Sequence, residues 1–141
     1  MKSFKQFWLA VLLMVLASFA NAQDAVKVVY HLNEGLAQAA RALGNIRNHL
    51  EADPTAKIVV VTHGAGIEFL LDGAKTPTNQ PFSGLIGEMA GKGVEFRVCR
   101  NTLVTRKIDP SSVVLEATIV PSGVAEVAKL QAKSGFVYLR P

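Results

Sequence analysis

The chain has 141 residues, half of them apolar, with a formal net charge of +4 and a mean hydropathy of +0.28. There is no Lys/Arg run and no aromatic stripe, which argues against nucleic-acid binding. A single cysteine, Cys99, excludes an internal disulfide.

The first predicted element is a leader. Lys2 and Lys5 precede an apolar run over residues 7–19, broken only by Ser18, and Ala20-Asn21-Ala22 supplies small residues at a cleavage site. This pattern predicts a cleavable signal peptide over residues 1–22, since the run is short for a membrane span. No lipidation cysteine stands at the cleavage point. The expected mature protein, residues 23–141, is then periplasmic or secreted, with no membrane span after processing. It keeps thirteen Lys and Arg against eleven Asp and Glu, a net charge of +2, and its 119 residues suit one domain with one core.

Short apolar strands then alternate with amphipathic helices. Residues 26–31 (VKVVYH) form a first strand, and Asn33 is placed to cap the following helix. Leu36, Ala39, Ala40, Leu43, Ile46 and Leu50 fall on one face of that helix, and Asp53-Pro54 ends it. His49, late in this helix, reads as a surface residue. Residues 58–62 (IVVVT) form a strand covered on both faces, followed by a turn at Gly64-Ala65-Gly66. The segment 67–80 reads as a short helical turn and a loop. Phe82, Leu85, Ile86, Met89 and Ala90 mark another helix, stopped by Gly91 and Gly93. Residues 94–99 (VEFRVC) form a third strand and 100–107 a short helix capped by Asn101 or Thr102. A turn follows Pro110. Residues 117–120 form a fourth strand. Ser122 caps a last helix whose stripe is Val124, Val127, Ala128 and Gln131, and residues 136–139 close the sheet.

Such alternation implies an α/β, three-layer sandwich around a mainly parallel five-stranded sheet, with right-handed crossovers. The expected strand order is the flavodoxin-like 2-1-3-4-5. His31, His63 and Cys99 each end a strand, so a parallel sheet gathers them on one edge. In that order His31 lies between His63 and Cys99, with adjacent strands about 4.8 Å apart.

Cys99 precedes a helix start, which favours a thiolate, and Arg97 lies two residues away. A lowered thiol pKa follows if the side chain opens into a pocket rather than the core. A thiolate can attack sulfur, accept a persulfide or bind metal. His31 and His63 are candidates for lining the site, and Gly64 lets backbone approach a ligand closely. Gly64-Ala65-Gly66 lacks the rest of a phosphate-loop pattern and no Walker lysine follows, so no cofactor is called for.

VEFRVCRNTL and ATIVPSGVAEVAKLQAKSGFVYLRP, with VKVVYHLNEG and IVVVTHGAGIEFLL, resemble the DsrE/DsrF-like family of small sulfur-relay proteins across the expected mature chain. The resemblance implies a three-layer fold and homo-oligomers of three or six subunits. It also implies that Cys99 can carry persulfide sulfur. The expected function is that of a sulfur carrier or sulfurtransferase, with a small molecule or a protein as sulfur donor or acceptor. His31 or His63 would assist proton movement or hold the substrate, and Asn101 and Thr102 would polarise the acceptor site. The export pattern argues against carrying over the cytoplasmic relay's partners. Two alternatives stand beside this: a noncatalytic oligomeric module binding a small ligand, and a metal site of Cys99 with His31 and His63, ligand types suited to zinc or copper.

Overall fold

A computed structural model describes residues 24–141; the predicted leader lies outside these residues. The described chain runs β1 (Lys27–Leu32), α1 (Leu36–Ala52), β2 (Lys57–Thr62), a 3₁₀ helix (Gly64–Leu70), α2 (Phe82–Gly91), β3 (Glu95–Cys99), α3 (Arg100–Thr105), a 3₁₀ turn (Pro110–Ser112), β4 (Ala117–Val120), α4 (Gly123–Ser134) and β5 (Val137–Leu139). All strand pairings within the sheet are parallel.

The strand order is β4-β3-β2-β1-β5, which corrects the flavodoxin-like 2-1-3-4-5. The chain steps from β1 to β4 in one direction. Right-handed crossovers made in a single direction all pass over the same face. So α1, the 3₁₀ helix, α2 and α3 share one face, where their apolar side chains join Val28, Tyr30, Leu32, Val60, Phe96 and Val98 in one core. The return from β4 to β5, beside β1, runs the opposite way and carries α4 over the other face. There Val127 and Leu130 meet Val29, Val59 and Val61, with Phe136 packed alongside.

Local chemistry departs from expectation at several ends. Asn33 does not cap α1: the cap residue is Gly35. Gln38 instead reaches back, its Oε1 accepting from the N–H groups of Asn33 and Glu34 at 3.0 and 2.8 Å. This satisfies donors from the helical side, as the second half of a capping box does. The residue capping α3 is Cys99 itself, not Asn101 or Thr102. Ser122 does cap α4, accepting from the Ala125 N–H at 3.4 Å. The buried stripe of α4 is Gly123, Glu126, Val127 and Leu130. Val124 is 60% exposed, so the predicted stripe was rotated towards solvent and shares only Val127 with the real one. His49 is half-buried and bonds the Tyr30 hydroxyl through Nδ1 at 3.0 Å, because α1 lays its last turns over β1. Among the described residues no helix is long and apolar enough to cross a membrane.

Candidate functional site

Strand alternation sends Val28, Tyr30, Leu32, Val60, Phe96 and Val98 into the large core. The residues between them face α4. On that face, at the carboxyl edge, stand His31, His63 and Cys99. The observed order places His63 between His31 and Cys99, since β2 lies between β1 and β3.

The two histidines touch. Nε2 of His31 lies 2.7 Å from Nε2 of His63, and the other nitrogen of His31, Nδ1, lies 2.8 Å from the Tyr138 hydroxyl on β5. A hydrogen bond between two Nε2 atoms requires one proton between them, so one ring donates and the other accepts. Burial lowers the pKa of His31, and the neighbouring charges of His63 and Arg140 lower it further. Burial also lowers that of His63. Both rings therefore resist protonation.

Cys99 is 5% exposed. Burial pushes its thiol pKa up, but donors around the sulfur outweigh that: the Gly123 N–H, the Thr102 hydroxyl, and the N–H groups of Thr102 and Asn101. The net shift is downward. In the resting geometry the sulfur closes no cap hydrogen bond; the donors surround it and favour the anion. Thr102 is set for this, because its Oγ1 already accepts from the Gly64 N–H at 3.0 Å, which leaves its own proton free to face the sulfur. Gly64 thus braces the site from the start of the 3₁₀ helix, and its carbonyl accepts from Arg106 at 3.2 Å. Asn101 contributes backbone, its side chain lying exposed.

Gly123 was not singled out from the sequence, yet it decides the geometry. A Cβ there would lie 2.9 Å from the Thr62 carbonyl oxygen, 3.1 Å from the His63 Cβ and 3.2 Å from the Cys99 Cβ. Only glycine lets α4 begin directly between the histidine and the cysteine. Gly66 makes a second close approach: a Cβ there would meet the Leu32 carbonyl oxygen at 2.2 Å, so the 3₁₀ helix lies directly against the end of β1. Tyr138 was also missed; strand alternation in the final segment was its one signal. Arg97, expected to favour the thiolate by its charge, is instead engaged by Glu126 and by Glu95, the latter at 2.7 Å.

Among the described residues no three His, Cys, Asp or Glu side chains are grouped to hold a metal ion. The two histidines that a metal would need are bonded to each other.

The DsrE/DsrF-like family model matches residues 13–139. The chain belongs to the DsrE/DsrF-like family. Its fold is similar to that of MTH1491 from Methanobacterium thermoautotrophicum, a protein of unknown function, with 28% identity and a TM-score of 0.73 over 82% of this chain and 99% of that one. It is also similar to the ychN protein from E. coli, with 13% identity and a TM-score of 0.68 over the same shares. No functionally curated protein matches the chain.

Proposed function

We propose that this family member is an exported sulfur-handling protein in which Cys99 accepts and passes on sulfane sulfur. The observation that carries the reading is the ring of donors from α3 and α4 around the Cys99 sulfur, which lowers its pKa despite burial. The family's association with sulfur relay supports the same chemistry, and the leader pattern over residues 1–22 supports export. A homo-oligomer, a trimer or hexamer, remains the expected assembly.

In the loading step the Cys99 thiolate attacks the outer sulfur of a donor persulfide, R–S–SH. A sulfur–sulfur bond to Cys99 forms, the donor's sulfur–sulfur bond breaks, and R–S⁻ leaves, with the proton staying on the transferred sulfur. An acceptor thiolate reverses the sequence and restores Cys99 as the thiolate. We assign His63, flanking Gly123 opposite Cys99, and His31 bonded to it to the lining of the site, where a neutral ring N–H can hydrogen-bond the donor molecule.

Intact-mass measurement tests this. The exported protein, expected to begin at Gln23, should gain the mass of one or more sulfur atoms after exposure to a low-molecular-weight persulfide. Reduction should remove the gain, and Cys99→Ala should abolish it. An unchanged mass in the folded wild-type protein rejects the relay.

A further inference from the structure

A charged residue in the middle of a sheet face needs a reason. Arg97 sits on β3, in register with Val61 on one side and Thr118 on the other, facing α4. Its side chain is 22% exposed and that of its partner Glu126 is 11% exposed. Glu95 at the rim gives Arg97 a second carboxylate. Burial opposes the charge, but these partners hold the guanidinium above its usual pKa, so Arg97 stays charged.

The reason lies in how α4 is anchored. Its apolar grip on the sheet comes from Val127 and Leu130. Its first turn has none: Gly123 has no side chain, Val124 is 60% exposed and Ala125 is exposed. Yet this turn presents the Gly123 N–H to Cys99. The side chain that ties this end of α4 to the sheet is Glu126, through Arg97 two residues before Cys99 on the same strand face. The carboxylate also suits the positive end of the helix dipole.

We propose that Arg97 and Glu126 are positioning residues: their ion pair fixes the start of α4 against β3 and so holds the Gly123 donor on the Cys99 sulfur. Arg97 serves the thiolate through geometry, its charge being cancelled by the pair. The proposal rests on the reading of Cys99 as the nucleophile, but its test does not require sulfur transfer.

The pH dependence of Cys99 alkylation by iodoacetamide is the readout, and Cys99 is the only thiol present. The double variant Arg97→Met with Glu126→Leu removes both charges and leaves their sum unchanged. It is expected to raise the alkylation midpoint by about one pH unit, a tenfold loss of thiolate below the midpoint. A folded double variant that titrates at the wild-type midpoint overturns the proposal. If the double variant does not fold, Glu126→Asp keeps the charge and shortens the reach; it is expected to shift the midpoint upward by a smaller amount, and an unshifted midpoint overturns the proposal. Wild-type protein with a low midpoint but no sulfur uptake defeats the relay reading and leaves the clamp intact.

Discussion

The two faces of the sheet are built from the same strands and do different work. One face is a continuous apolar core under α1, the first 3₁₀ helix, α2 and α3, with Phe69 and Phe96 packed edge to face at 6.1 Å. The other carries a five-residue apolar cluster between the sheet and α4, and beside it the histidine pair, the half-buried ion pair and Cys99. Alternating residues of β1 read Tyr30 then His31, and those of β3 read Val98 then Cys99. Strength is concentrated on the face that has no chemistry to perform. The α4 face has a single helix, so polar groups can be half-buried there at tolerable cost.

The largest expected effect tests that asymmetry through stability. Phe96→Ala, at a side chain 1% exposed, is expected to cost about 3–5 kcal/mol. Leu130→Ala on the α4 face should cost about 2 kcal/mol, the low end for such a truncation, since α4 can settle. Urea unfolding midpoints measure both, and equal losses would break the comparison.

How much of this was legible in the sequence follows from the same alternation. The β-branched runs marked the strands, and the ends of three of them gathered His31, His63 and Cys99. The side of Cys99 was not legible, because it is both the last strand residue and the cap of α3. The strand order was not legible either, because each crossover looks the same locally whichever neighbour it serves. Two placements separate the orders: β3 lies beside β2 rather than β1, and β5 beside β1 rather than β4. The placement of β3 exchanged the places of His31 and His63. Gly123 was hidden because its role depends on an approach between residues far apart in sequence.

A smaller effect is expected at that approach. Gly123→Ala should cost about 1–3 kcal/mol by forcing α4 outward, and should raise the pH midpoint of Cys99 alkylation. A variant with lost stability and unchanged thiol titration would separate the helix from the cysteine. The smallest effect concerns pH. The folded pKa values of His31 and His63 lie below the ordinary 6.5, so the unfolded chain binds more protons just below that value. Stability is therefore full above about pH 6.5 and declines as pH falls through the window down to the folded values. Thermal melting between pH 8 and 5 should show this decline, and His63→Gln should flatten it.

The pairing of β5 with β1 also sets an order of events in the making of the molecule. His31 and its partner Tyr138 are 107 residues apart in sequence. Everything needed for the large core, from β1 through Val114, leaves the ribosome before the tyrosine does. A pairing between segments so distant closes late, because the chain loses the entropy of a long loop before the contact rewards it. Until then β1 is an open edge, able to pair with a foreign strand, and His31 Nδ1 lacks its hydroxyl. The reactive edge is thus finished last, by three residues of β5, and a chain cut short there would keep most of its core while losing the strand that shields β1.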